Sequence, residues 1–394
     1  MEYQFSKKVS SLAPSVIREI LKYSSQPGMI SFAAGNPAPE AFPVEDVKKI
    51  TADIMTNHPI DALQYSITEG YEPLKSTMTE YMKRKYNVGR DFDGIIITAG
   101  AQQVMSFATQ SLCNEGDTII CEAPTFIGSL NAFRSFGAHI VGIDMQPDGM
   151  DMDKLEQALK TEKNVRFIYT IPNFQNPSGI TMSFEKRKKM YELAKKYGVM
   201  ILEDNPYGEI RFEGENVPCI KSLDEDGIVI YAGSFSKVLS PGLRVGYAIA
   251  PKTVLAKMTC CKQTSDVHTA IFSQMIANEF VTKYDFEGHL EKIRAIYRHK
   301  AHLMMDLMDK YFDNKITYQP VQGGLFLWCK LPDEVDMFDF CQTAVKNNVA
   351  LVPGNAFLVD ENETCHYFRT NYSTPTDEQL QKGMEILGEL AKKL

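Results

Sequence analysis

Two rhythms of apolar residues alternate through the middle of the chain. One is a short apolar run, often β-branched, as in Ile95-Ile96-Ile97-Thr98, Thr118-Ile119-Ile120-Cys121, and residues 139–143, 165–170, 199–203, 228–232 and 245–250. The other is a longer stretch of helical character. Examples run from Gly100-Ala101-Gln102 to about Leu112, over 126–136, and over the lysine-rich amphipathic segment 183–197, which opens at Ser183 with Lys186 three residues on. Strands that alternate with helices predict an α/β fold: a mostly parallel seven-stranded sheet sandwiched by helices. Ligands of such sheets bind beyond the carboxyl ends of the strands. The loops after each run are therefore where chemistry is sought.

The C-terminal third is patterned differently. Residues 284–312 form a long helical stretch dense in charge, whose Met304, Met305 and Met308 are expected in the core. Residues 324–330 and 349–352 read as strands, and 376–394 as a terminal helix capped by Thr376 and Asp377. This predicts a smaller α+β domain. The first 45 or so residues are rich in proline and glycine (Pro27, Gly28, Gly35, Pro37, Pro39, Pro43) and are expected to wrap over other parts. The expected division is an N-terminal arm with part of the small domain over 1–45, a large domain over 46–285, and a small domain over 286–394.

Composition narrows the function classes. The chain has 394 residues, 44% hydrophobic and 23% charged, enough for a substantial core. Its formal net charge of −8 argues against a general nucleic-acid-binding surface, though a local cationic pocket is compatible with it. The eight cysteines form no C-x-x-C pair and read as reduced, mostly buried residues of a cytosolic protein. The seven histidines have no ligand spacing, so no metal site is expected. The first residues lack the apolar core of a signal peptide, and no apolar run approaches the length of a membrane span. A cytoplasmic protein with neither nucleic-acid nor membrane partners is expected.

The densest chemistry lies in Ser234-Phe235-Ser236-Lys237, with Arg244 seven residues beyond. A lysine forms an imine with an aldehyde, and hydroxyls with a guanidinium suit a phosphate. Pyridoxal 5'-phosphate carries both groups and is held through a lysine Schiff base. The same residues alone are equally a polar turn with a solvated lysine. Other strand-end loops carry similar pairs of readings. Ala99-Gly100-Ala101-Gln102 is a phosphate-holding helix start or an ordinary glycine turn. Phe126 stacks on a flat ring or fills the core. Asn176, on a proline-bounded loop over 172–179, donates to a phenolate-like oxygen or a carboxylate, or is structural. Asp204 ends an apolar run; buried, it needs a positive partner such as a protonated pyridine nitrogen, and otherwise it is a solvated acid or a cap. Arg369 is a bidentate clamp for a carboxylate or an exposed strand residue.

The segments PNFQNPSG, EDNPYGEIRF and GSFSKVLSPGLRVGY, in this order and spacing, resemble the class I/II aminotransferases among the fold type I enzymes that use pyridoxal phosphate. The likeness covers nearly the whole chain and is greatest to the branch of 2-aminoadipate and kynurenine aminotransferases. It implies that Lys237 forms the Schiff base and shuttles a proton between the donor Cα and the cofactor. Asp204 would pair with the pyridinium, Tyr207 and Asn176 would contact the ring 3'-oxygen, and Phe126 would stack on the ring. Ala101, Gln102, Ser234, Ser236 and Arg244 would line the phosphate cup. Arg369 would clamp the donor α-carboxylate, with Asn176 and Gly35 beside the substrate and Arg18 placed to meet a distal carboxylate. Tyr65 would reach the phosphate of a neighbouring subunit, so a homodimer is expected. Two departures stand out: Ala101 where a hydroxyl is common, and Phe126 where a tyrosine is.

The implied activity is transfer of an amino group from an aromatic, 2-aminoadipate-like or branched L-amino acid to a 2-oxo acid such as 2-oxoglutarate, in two half-reactions. Lys237 must be neutral to act, so nearby positive charge and burial should lower its pKa. A carbon–sulfur β-lyase on the same fold and a cofactor-sensing regulatory domain are the rival readings.

Overall fold

In the computed structural model, which describes residues 3–6, 10 and 28–394, the apolar runs assemble into a single sheet of eight strands. Across it the order is Asp93–Thr98, Gly246–Pro251, Val229–Ser234, Met200–Asp204, Val165–Thr170, Thr118–Ala123, His139–Gln146 and Gly149–Met150. The five strands from Val229–Ser234 to His139–Gln146 are mutually parallel. Gly246–Pro251 lies antiparallel between Asp93–Thr98 and Val229–Ser234. The expectation of seven strands is corrected by the two-residue Gly149–Met150, which folds back on the end of His139–Gln146. A strand that short carries no apolar rhythm.

The central runs are apolar throughout because both faces are covered. Ile120, Ile168 and Ile201 face one core cluster with Leu155 and Leu193 of helices Met152–Thr161 and Phe184–Tyr197. Ile119, Phe167, Tyr169 and Leu202 face the other, with Val104 of helix Ala101–Leu112 and Phe133 of helix Ile127–Ser135. Helix Phe184–Tyr197 starts where the Ser183 hydroxyl accepts from the Lys186 amide and stops at Gly198, whose φ of 66° suits glycine.

A second sheet, entirely antiparallel, runs Thr317–Tyr318, Phe326–Lys330, Tyr367–Asn371, Val352–Pro353. The single strand expected over 349–352 is two: Val349–Ala350 leaves this sheet to pair in parallel with Ile30–Ser31. Helix Phe286–Tyr311 buries Met304 and Met308 completely or nearly so, and Met305 partly. The terminal helix Asp377–Ala391 is capped by Thr376 through a capping box with Gln379; Asp377 is its first residue, not a cap. Four of the eight cysteines are buried and Cys260 is exposed, so burial is less general than their number implied. Among the described residues, no helix is long and apolar enough to cross a membrane.

Residues 30–36 run beside the second sheet. Asn371 N donates to Phe32 O at 2.8 Å, and Ser373 Oγ donates to Asn36 O at 2.6 Å. These bonds hold Ala33 to Asn36 against the carboxyl ends of the parallel strands, where a cavity opens.

Candidate active site

The cavity has a volume of about 440 Å³ and is walled by both sheets and by residues 33–36. Lys237 enters it from the turn after Val229–Ser234, which is tightened by Ser236 N donating to Ser234 Oγ at 3.1 Å. Its Nζ donates to the Gly35 carbonyl at 2.7 Å. Burial, then the cations Arg369 and Arg244, lower its pKa to about 8. This is the downward shift, from burial and nearby positive charge, that the sequence calls for.

Beside it, helix Ala101–Leu112 begins without a side-chain cap after Gly100, whose φ is 79°. A Cβ at Gly100 would collide with Arg244 Nη2, and one at Gly246 would lie 2.6 Å from the Gly100 carbonyl carbon. Only glycine lets the strand, the helix start and the guanidinium come this close. Arg244 Nη2 donates to Ala99 O at 3.1 Å. Helix start, Ser234, Ser236 and Arg244 thus form a cup with the dipole and donors that an anion needs. Gln102 Nε2 donates to Gly128 O at 2.7 Å, which ties this helix to the start of the next, beside Phe126.

Asp204 ends its strand 4% exposed. Its Oδ2 accepts from the Tyr169 hydroxyl at 2.8 Å, and that hydroxyl accepts from Ser129 Oγ at 2.8 Å. Its Oδ1 is buried with no partner. Burial pushes the carboxyl up to about 7, opposed by the Tyr169 bond. An unpaired buried carboxylate oxygen is costly, so its survival marks a place for a cationic or N–H partner.

On the opposite wall Arg369 lies between Phe326 and Phe357, its guanidinium carbon 4.1 and 4.9 Å from their ring centroids. Nη1 donates to Asn176 Oδ1 and Nη2 to Ala33 O, both at 2.8 Å, while Nε is buried without a partner. Burial lowers its pKa to about 10, where it stays cationic at neutral pH. Tyr207 packs edge-on to Phe326 with centroids 6.0 Å apart, and burial raises its phenol pKa.

The cavity brings together Gly35, Ala101, Gln102, Phe126, Asn176, Asp204, Tyr207, Ser234, Ser236, Lys237, Arg244 and Arg369. Tyr65 lies elsewhere, 83% exposed, with its ring edge-on to His268. Arg18 lies outside the described residues. Sequence reasoning missed Tyr169 and Ser129 behind Asp204, and the Phe326–Phe357 sandwich around Arg369. The alternation Phe167, Tyr169 along one strand was a signal for the first, since it puts a phenol on the same face as a core ring.

These residues fit pyridoxal phosphate. The orphaned Asp204 Oδ1 suits its ring nitrogen, the uncapped helix start and Arg244 suit its phosphate, and Lys237 suits its aldehyde.

A model of the family "Aminotransferase class I and II" matches residues 27–387. The chain is 38% identical to an aromatic-amino-acid aminotransferase of Thermococcus litoralis, covering 99% of this chain and 94% of that one. It superposes on the kynurenine aminotransferase of Pyrococcus horikoshii, solved with PMP, kynurenine and its product, at a TM-score of 0.95 and 35% identity, covering 99% and 97% of the two chains. It also matches the alpha-aminoadipate aminotransferase LysN of Thermus thermophilus, complexed with N-(5'-phosphopyridoxyl)-L-leucine, at a TM-score of 0.90 and 35% identity, with the same coverage.

Proposed function

The chain belongs to the aminotransferase class I and II family, and from that premise we propose that Lys237 is its covalent anchor and proton carrier and that its donor is an amino acid with an apolar or aromatic side chain. It is a pyridoxal-phosphate-dependent aminotransferase. When bound, the cofactor supplies an aldehyde for the donor's amino group and a ring that takes up the electron pair released at Cα. Asp204 Oδ1 holds the ring nitrogen, and Tyr207 and Asn176 hold the ring 3'-oxygen. Phe126 covers the ring face. Ala101, Gln102, Ser234, Ser236 and Arg244 hold the phosphate. Arg369, steered by Asn176 and Ala33 O, receives the donor α-carboxylate through Nε and its remaining N–H groups. Lys237 Nζ then takes the proton from Cα and returns it in the reverse sense when a 2-oxo acid such as 2-oxoglutarate is aminated.

The observation that carries this reading is that Lys237, the open oxygen of Asp204 and the open nitrogen of Arg369 all belong to residues lining one cavity. The donor class rests on the remaining wall. Ala33, Ala34, Met105, Ile127, Ile171 and Phe326 are apolar, with Asn36 the polar member beside them. Among the described residues, the cavity holds no cation besides Lys237, Arg244 and Arg369. A distal carboxylate therefore has only Arg18, outside the described residues, as the partner expected from sequence. A screen of amino donors with 2-oxoglutarate tests this. Phenylalanine, tyrosine, kynurenine or leucine should exceed 2-aminoadipate and glutamate in kcat/KM. Equal or greater rates with the dicarboxylic donors would overturn the donor class, and no turnover with any donor would overturn the site.

The assembly is proposed to be a homodimer, with Tyr65 reaching the partner's cofactor phosphate. Its support is an exposed apolar surface of Ile60, Leu63, Tyr65, Ile67 and Val267, each 52% exposed or more. The protein is proposed to be cytoplasmic and to divide into an N-terminal arm with part of the small domain over 1–45, a large domain over 46–285 that holds the eight-stranded sheet, and a small domain over 286–394 that holds the four-stranded sheet.

A further inference from the structure

A second carboxyl group is buried close to the site, and the chemistry above does not use it. Glu122 stands near the end of strand Thr118–Ala123, fully buried. It accepts from Thr170 Oγ1 at 2.5 Å, from Ile171 N at 3.3 and 3.2 Å, and from Gln175 Nε2 at 3.0 Å. None of these partners is a cation. Burial pushes its pKa up to about 7, against the pull of these donors. A glutamine at this position would turn its own NH2 on groups that mainly donate, whereas the carboxyl group can accept from all of them.

Gln175 spends its whole side chain on the same junction. Its Nε2 also donates to Pro124 O at 2.7 Å, and its Oε1 accepts from Ser178 N at 2.9 Å and Ser178 Oγ at 2.7 Å. Pro124 precedes Phe126 by two residues, and Gln175 directly precedes Asn176. The Glu122–Gln175 pair therefore bolts together the two loops that carry the ring-covering and carboxylate-steering side chains. Asn176 Oδ1 in turn accepts from Arg369 Nη1 at 2.8 Å.

We infer that Glu122 is a positioning residue for donor binding: through Gln175 it fixes Asn176, and through Asn176 it aims Arg369. The inference rests on the proposed role of Arg369 as carboxylate clamp. Glu122 does not line the cavity. Asn176 and Phe126 also face the cofactor ring, but Lys237, Asp204 and the phosphate cup hold the cofactor apart from this junction, so removal of Glu122 should weaken carboxylate binding much more than cofactor binding.

The test uses holoenzyme, the variants Glu122→Gln and Gln175→Ala, and their double variant. The probe is 3-phenylpropionate, a carboxylate with no amine to react, titrated calorimetrically; pyridoxal phosphate affinity is measured on the apoenzymes. Each single variant should raise the Kd for 3-phenylpropionate about tenfold, with the double variant no weaker than the worse single one, because both act through one junction. Pyridoxal phosphate Kd should stay within about threefold, and donor KM should rise more than kcat falls. Unchanged carboxylate affinity, or equal losses for both ligands, would overturn the positioning role. If Glu122→Gln does not fold, Gln175→Ala decides alone by the same outcomes. Wild-type holoenzyme that binds no 3-phenylpropionate would overturn the clamp and this role together.

Discussion

Two lysines, the buried Lys221 and the half-buried Lys237, show what separates structure from chemistry in this molecule. The Lys221 side chain has no exposed surface, and its Nζ donates to Asp93 Oδ1 at 2.7 Å, Asp224 Oδ2 at 2.8 Å and Val229 O at 2.9 Å. All three protons and the charge are matched. It ties the edge strand Asp93–Thr98 to the start of Val229–Ser234. Lys237 follows the other end of that same strand. Its one acceptor is a carbonyl, and its charged neighbours are Arg369 and Arg244. Burial alone therefore does not make a lysine reactive. Partial burial beside cations, with no carboxylate to match it, lowers the pKa and shifts the balance towards the neutral amine that the proposed chemistry uses.

The comparison is broken most severely by exchanging the fates of the two residues. Lys237→Ala should lower transamination by at least about 10⁴-fold, the upper range for a lost acid–base group, while pyridoxal phosphate still binds without a covalent link. Its denaturant midpoint should hold or rise, since an uncompensated cation has been removed. Lys221→Met should do the opposite. Two carboxylates are left unpaired, and removal of one member of a buried ion pair costs about 3–5 kcal/mol. The denaturation midpoint should fall accordingly, while kcat of the folded fraction stays unchanged.

Smaller changes sharpen the site's geometry. Arg369→Lys keeps the charge but loses the planar fork between Phe326 and Phe357, and should raise donor KM by about 10- to 100-fold. Tyr169→Phe removes a donor to Asp204 and should weaken pyridoxal phosphate binding by about tenfold, with little effect on donor KM. The pH effect is the mildest. In the apoenzyme the folded-state pKa of Lys237 lies at about 8, below the 10.5 of an ordinary lysine. Between these values the unfolded chain binds more protons, so this group's contribution to stability grows as pH rises towards 10.5 and is lost as pH falls through about 8. A urea series over that pH window should show this slope in wild type and lose it in Lys237→Ala.

The strands were legible because residues such as Ile119, Ile120, Ile168 and Ile201 are covered on both sides and so stay apolar without a break. The site's outline was legible because its loops hang from the ends of those strands. What could not be read depended on register and on contacts distant in sequence. The Tyr169 hydroxyl meets Asp204 across 35 positions, and Ser129 meets Tyr169 across 40. The Glu122–Gln175 junction spans 53. Phe357 reaches Arg369 only because its 3-10 turn, Gly354–Phe357, folds under the second sheet. The short strands Gly149–Met150 and Val349–Ala350 owe their pairing to neighbours rather than to pattern.

The central claim is that the poorly matched lysine, not a well-matched one, holds the cofactor. Borohydride reduction of the holoenzyme, followed by digestion and mass spectrometry, reads this directly. The account predicts that a phosphopyridoxyl group is fixed on the peptide containing Lys237 and on no other lysine. Its recovery on Lys221, its scatter over surface lysines, or its absence would contradict the account.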